Sequence, residues 1–344
     1  MTQPLAGGSF EPVTVETPLR GRKARIRANP SLTLGRTMRA IGRQFSLFII
    51  VLLIVGGAGA IYDFAGGMPL AAVFKLWGPV GLAAGFGAGM IRELGRNTIG
   101  SLTALGRHRG YALIGAAPEL SDKVLRELPP DKRTPLGALA FQPSGAFATS
   151  FRDIQSALGD RVVAFIGSVP NEGATTAALC AAASATQQGR RVIVVDCDIR
   201  RRSLTRLLHG DTDFGVLEAA DEPGRWVEAL CEEDEIGVAY IAAAKLRNPW
   251  RNLSSAKGFR TLVQELRARY DLVILDCPPA LSNADGAMVA RVADRIVVVA
   301  AWDETPLAAV RNTMRTLKRT ASDATTLFIN RVPAGYRFAR LRGD

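Results

Sequence analysis

Six short apolar runs rich in β-branched residues, separated by longer mixed segments, constrain this chain more than any other feature. They are Val162–Ile166, Val192–Val195, Val238–Ile241, Leu272–Leu275, Ile296–Ala300 and Thr326–Ile329. Between them lie helix-like stretches such as Thr175–Gln188, Lys257–Tyr270 and Leu307–Arg319. Continuous apolar strands alternating with helices predict an α/β fold, a parallel sheet with helices on both faces. In such sheets ligands lie beyond the carboxyl ends of the strands, and three segments of this chain fall there.

The first is Gly167-Ser-Val-Pro-Asn-Glu-Gly-Ala-Thr-Thr176, a turn between a strand and an Ala-rich helix. Backbone N–H groups there, with the positive end of the helix dipole, suit phosphates, and Thr175 is placed to offer its hydroxyl to Mg²⁺. The strong form of this motif has lysine directly before the Ser/Thr; here that residue is Ala174. The second is Asp196-Cys-Asp-Ile-Arg200, where alternate positions of an extended chain bring Asp196 and Asp198 to one side. Two such carboxylates suit a hydrated Mg²⁺ or the polarisation of an attacking group, although a plain polar loop fits this piece equally well. The third is Leu272-Val-Ile-Leu-Asp-Cys-Pro-Pro279, which ends a buried strand on Asp276, as a carboxylate that meets a Mg²⁺-bound water must.

The front of the chain is of a different kind. Residues 1–44 carry eight Lys or Arg against Glu11 and Glu16, over half of the net charge of +11. Nineteen uncharged residues then separate Arg43 from Asp63. As a helix they span ~28 Å, close to the hydrocarbon thickness of a bilayer. A second apolar stretch, Pro69–Ile91, contains Lys75 as its sole charge, together with many glycines and alanines that favour close helix contact. A two-span transmembrane hairpin is expected over 45–92, with a buried soluble helix as the competing reading of the second stretch. Arg39, Arg43, Arg92 and Arg96 flank it, so the positive-inside rule puts both termini in the cytoplasm of an inner membrane. The basic leader is expected to lie on an anionic leaflet rather than on nucleic acid. Residues 93–147, with Pro118, Pro129, Pro130, Pro135 and Pro143, read as a linker to a cytoplasmic domain over 148–344. Four cysteines without CxxC spacing and two histidines exclude neither Cys–His nor Ser–His–Asp catalysis but argue against both, and against a zinc site.

Taken in order, the three segments resemble the cytoplasmic domain of bacterial tyrosine kinases, the ATP-binding half of polysaccharide co-polymerases. Family members read Ser-x-x-Pro-Gly-Glu-Gly-Lys-Ser/Thr, Asp-x-Asp-x-Arg and Tyr-Asp-x-x-Ile-x-Asp-x-Pro-Pro. This chain offers Gly167–Thr175, Asp196–Arg200 and Tyr270–Pro279, with smaller echoes at Asn248-Pro249, Ala284–Ala287 and Thr305. The resemblance implies a P-loop NTPase-like sheet that binds ATP or ADP with Mg²⁺. It implies nucleotide contacts from Gly167, Gly173, Thr175, Thr176 and Asn330, the last facing the base. Thr175, Asp196 and Asp276 are the implied metal-site residues, and Asp196, Asp198 and Asp276 the catalytic carboxylates of an active member.

The departures point one way. Ala174 replaces the phosphate-binding lysine, and Val169 stands where related partitioning ATPases carry an alternative one. The family's Glu-x-x-Arg-x-x-Arg oligomer motif survives only as Thr149…Arg152…Gln155, and the tail holds one tyrosine, Tyr336. The expected protein is therefore a degenerate member of an exopolysaccharide assembly. It would dock on export and polymerisation proteins, including a separate subunit with the extracytoplasmic part, and retain a capacity to form homo-oligomers. The competing readings are an active tyrosine kinase or ATPase with Arg200, Arg201 or Arg202 in place of the lysine, and a membrane-tethered partitioning-type ATPase.

Overall fold

The computed structural model describes residues 49–67, 69–94, 98–99, 112–159, 162–233, 236–282, 284–320 and 325–333. The basic leader, the start of the first expected span and the Tyr336 tail lie outside these residues.

Eight strands form one sheet: β1 (Ala112–Pro118), β2 (Val162–Gly167), β3 (Val192–Asp196), β4 (Leu230–Glu232), β5 (Ala239–Ile241), β6 (Leu272–Cys277), β7 (Arg295–Ala301) and β8 (Thr325–Val332). Their spatial order is β1-β8-β7-β2-β6-β3-β5-β4. Every neighbouring pair is parallel except β4 with β5. Every residue of β2, β3 and β6 is buried, which is why these strands read as unbroken apolar runs rather than alternating ones. Alternate side chains feed two cores. Val162, Ala164 and Ile166 join the one beneath Leu262, Leu266 and Val310; Val163 and Phe165 join the one that holds Phe151, Ala178 and Ala182. The helix Ala174–Thr186 packs between strands and helices with alanine at six of its nine buried positions, and so it approaches the sheet closely.

Two strands differ from expectation. Residues 112–118, expected as linker, form the edge strand β1 on β8, followed by the helices Asp122–Arg126, Pro135–Phe141 and Ala146–Leu158. The sheet therefore begins well before residue 148. β1 is built from Ala, Leu, Ile, Gly and Pro, without the β-branched run that marks the central strands, and its register shifts twice along β8. At the other edge, the three-residue antiparallel β4 covers β5.

Among the described residues no helix is long and apolar enough to cross a membrane, so the transmembrane hairpin expected over 45–92 is not shown. The first helix is described over 49–65 only, and the second, Leu70–Leu94, carries Lys75, Pro79 and many glycines. The two do lie against each other. A Cβ on Gly59 would sit 2.2 Å from the Trp77 indole and one on Gly81 2.9 Å from Leu52, and the Trp77 Nε1–H donates to Asp63 at 2.6 Å. Ile50, Leu53, Ile54, Ile61, Phe64, Leu82 and Phe86 are exposed on its outside.

All four cysteines are free thiols; Cys180, Cys197 and Cys277 are buried and Cys231, on β4, is half-buried.

Candidate functional site

The loop between β2 and the helix Ala174–Thr186 is shaped by Glu172. Its buried carboxylate turns back into the loop, where Oε2 accepts the N–H groups of Ser168 (2.5 Å) and Val169 (3.0 Å). Oε1 accepts the Thr305 hydroxyl at 2.6 Å, and Thr305 Oγ1 in turn accepts the Ala301 N–H. Gly173 caps the helix at φ +87°, and a Cβ there would meet Asn330 Nδ2 at 2.2 Å, so this position requires glycine on both counts. Gly167 is tight to a lesser degree, since a Cβ there would lie 2.8 Å from Glu172 Oε2. The helix opens at Ala174, and the first N–H groups of a helix have no intrahelical acceptor, as an anion-binding turn needs.

The expected residues converge. Asp196 and Asp276 are register partners on the adjacent strands β3 and β6, and the Thr175 hydroxyl donates to Asp276 Oδ1 at 3.1 Å. Asp276 Oδ2 is buried and has no hydrogen-bond partner. Asp196 is already occupied: Oδ2 accepts both the N–H and the hydroxyl of Thr205, and Oδ1 accepts the Asp198 N–H. Asp198 caps the following turn through the Arg201 N–H and the Ser203 hydroxyl. Asn330, implied as a base contact, is engaged inside the loop, donating from Nδ2 to the Glu172 carbonyl and accepting the Arg331 N–H. Thr176 follows Thr175 in the first helical turn.

Among the described residues no cluster of three His, Cys, Asp or Glu side chains is arranged to hold a metal alone. The orphaned Asp276 oxygen beside the Thr175 hydroxyl nevertheless suits Mg²⁺, which takes one or two protein oxygens and completes its shell with water and phosphate. Asp196, bound to Thr205, suits a role behind these two rather than direct ligation.

Two arginines of the 200–202 group, where a substitute for the missing lysine is expected, are bonded elsewhere. Arg202 is buried and turned away, donating to the Ala243 carbonyl (2.7 Å) and to Asp211 (2.8 Å). Arg200 donates to the Pro249 carbonyl, and Arg201 is exposed. The cation that borders the loop is Arg331, which donates to the Asn171 carbonyl at 3.0 Å and pairs with Glu304 at 2.7 Å. Sequence reasoning missed it because a basic residue near the end of a strand is commonplace. Arg152, from the eroded oligomer motif, donates to Thr149 and to the Pro143 carbonyl, and Gln155 is buried.

Burial pushes the acids of the site upward: Glu172 to about 7 and Asp196 to about 6. Asp276 lies well above the usual carboxylate range through burial and then the neighbouring Asp196 charge, and Asp198 is raised by burial. Acids that hold protons more tightly when folded make stability fall as pH rises, here from about 4 upward, the parts of Asp196 and Glu172 being lost as pH passes about 6 and about 7. Thermal unfolding without added metal is expected to show about 1–2 kcal/mol more stability near pH 5.5 than near pH 7.5. Glu172→Gln is expected to remove part of that difference. The exposed Arg191–Asp271 pair, whose carboxyl is held down to about 2, acts only below this window.

Residues 161–327 match the AAA domain family. The putative tyrosine-protein kinase EpsB of Ralstonia nicotianae is 26% identical over 281 residues, covering 77% of this chain and 37% of that protein. The succinoglycan biosynthesis transport protein ExoP of Rhizobium meliloti is 26% identical over 49% of this chain and 23% of its own length. The chain thus spans little more than a third, or less, of these relatives. The kinase domain of the Escherichia coli tyrosine kinase ETK superposes with a TM-score of 0.59 at 21% identity, covering 69% of this chain and 97% of that domain. At that identity the likeness concerns the fold.

Proposed function

Because the chain belongs to the bacterial tyrosine-kinase family of capsule and exopolysaccharide biosynthesis, we propose that it is a membrane-anchored, non-kinase component of a polysaccharide synthesis and export assembly. One observation carries this reading: the phosphate loop has Ala174 where the family pattern has its lysine, while Arg200 and Arg202 are bonded elsewhere and Arg331, at the loop's border, is engaged by the Asn171 carbonyl and Glu304. A lysine at that point would meet the terminal phosphates with a charge-assisted contact, and removing such a partner costs about 2–5 kcal/mol.

The remaining residues are suited to weak nucleotide binding. The N–H groups from Gly173 to Thr176 receive phosphate oxygens, and the Thr175 hydroxyl and Asp276 hold Mg²⁺ through its oxygen shell. When bound, that ion neutralises phosphate charge. Asp196 keeps Thr205, and through it the start of the following turn, in register. The exposed apolar side chains on the 49–94 hairpin support insertion into the inner membrane, and the flanking Arg39, Arg43, Arg92 and Arg96 support cytoplasmic termini. The domain, including the sheet from β1 onward, then serves as a docking unit for export and polymerisation proteins and for a subunit that carries the extracytoplasmic part.

Titration of the detergent-solubilised full chain with Mg·ATP tests the reading. Binding weaker than about 0.1 mM is expected, given a lost contact of this size, without phosphate on Tyr336. Micromolar affinity with phosphate transfer to Tyr336, abolished by Asp276→Ala, would overturn it.

A further inference from the structure

Thr98 and Ile99 lie just beyond Leu94, the last residue of the hairpin's second helix, and some 60 residues before β2. Yet Ile99 is completely buried, and its side chain joins the core beneath β2, β6 and β7. Its backbone grips the turn after β7 from both directions: the Ile99 N–H donates to the Thr305 carbonyl (3.0 Å), and the Ile99 carbonyl accepts the Asp303 N–H (2.8 Å). The Thr98 hydroxyl adds a bond to Asp303 Oδ1 at 3.2 Å, and Thr98 forms an isolated bridge with Pro306.

That turn is also the one that holds Glu172. Thr305 donates its hydroxyl to the Glu172 carboxylate, whose other oxygen gathers the Ser168 and Val169 N–H groups. On the same turn the Trp302 N–H donates to the carbonyl of Asn330, which holds the Glu172 backbone. Asp303 sits at φ +57°, a conformation that a non-glycine residue keeps only where surrounding contacts impose it. Thr98 and Ile99 supply two of those contacts to Asp303 itself and a third to Thr305, and Glu172 and Asn330 take up the result inside.

We infer that Thr98 and Ile99 are positioning residues for the phosphate loop, connecting the end of the apolar hairpin to Glu172 through the turn Trp302–Thr305. The hairpin's placement and the loop's order are then coupled, and the coupling is reciprocal: whatever orders the loop tightens the strap. The coupling itself does not require that the loop binds nucleotide; only its reciprocal arm rests on that reading.

Hydrogen exchange on the detergent-solubilised full chain provides the test. In Ile99→Ala, exchange in residues 168–173 is expected to rise about tenfold, as loss of a buried packing contact loosens the turn, while the core strand 272–277 keeps its protection. Ile99→Val is expected to restore the loop. Thr98→Val, which removes one hydrogen bond and keeps the side chain's volume, is expected to act in the same direction by about two- to threefold and keeps the test open if Ile99→Ala does not fold. Faster exchange at 302–306 with no change at 168–173 in either variant would overturn the inference. In wild type, Mg·ATP is expected to slow exchange at 98–99 as well as at 168–173. Protection of the loop alone would overturn the reciprocal coupling. Protection of neither would count against nucleotide binding, and the variants alone then decide whether the strap orders the loop.

Discussion

Ala174→Lys is expected to tighten Mg·ATP binding about a hundredfold, the equivalent of about 2.7 kcal/mol. The argument is local. Ala174 is the first residue of the helix that opens on the loop, and it is half-buried rather than enclosed. A lysine stem therefore leaves the loop without displacing backbone, and its ammonium meets phosphate as a charged donor. The same substitution is expected to cost the nucleotide-free protein about 0.5 kcal/mol, because a cation at a helix N-terminus opposes the dipole. Affinity and stability thus move in opposite directions, which calorimetric titration and thermal unfolding on the same sample resolve. Unchanged affinity would mean that the loop, and not the missing charge, limits binding.

Gly286→Ala is expected to destabilise the fold by about 3 kcal/mol, against local propensity. In an exposed helix the exchange of glycine for alanine stabilises by about 1 kcal/mol. Here the new Cβ would fall 2.3 Å from the Pro278 carbonyl oxygen and 3.2 Å from its carbon. These are backbone atoms, two residues beyond Asp276, so the helix Ala284–Val289 or the end of β6 must shift. Gly224→Ala makes the control: nothing lies within 4 Å of its Cβ, and its unfolding midpoint is expected to stay within the error of the wild type. Equal midpoints for the two variants would show that the β6 turn yields to the helix.

What could be read in advance followed burial. β2, β3, β6 and β7 announce themselves because strands covered on both faces must be apolar at every position, and the carboxylates at their ends stand out against that background. The convergence of Thr175, Asp196 and Asp276 was therefore legible. β1 was not, because Ala-Leu-Ile-Gly-Ala-Ala-Pro at a sheet edge carries no period or β-branched run, and its proline and glycine read as linker. Glu172 was visible only as a loop residue. Its inward turn depends on Thr305, 133 positions away, and no local pattern encodes that partner. Asn330 and Arg202 show the opposite failure: each has a chemically apt side chain, but the fold commits both to internal bonds. The strap at Thr98–Ile99 is invisible for the same reason as Glu172, since two ordinary residues gain their role from a turn more than 200 positions later.

The placement of the thiols makes the molecule its own label. Cys180 and Cys197 are buried and pushed far from the thiolate form, and Cys277 lies under the same cover, whereas Cys231 stands half-open on the short antiparallel strand. A maleimide dye added to the native chain should therefore settle at the β4 edge, marking the rim of the sheet furthest from β1. Under denaturant the other three sites open together, so the mass of the adduct counts folded and unfolded molecules without any engineered reporter.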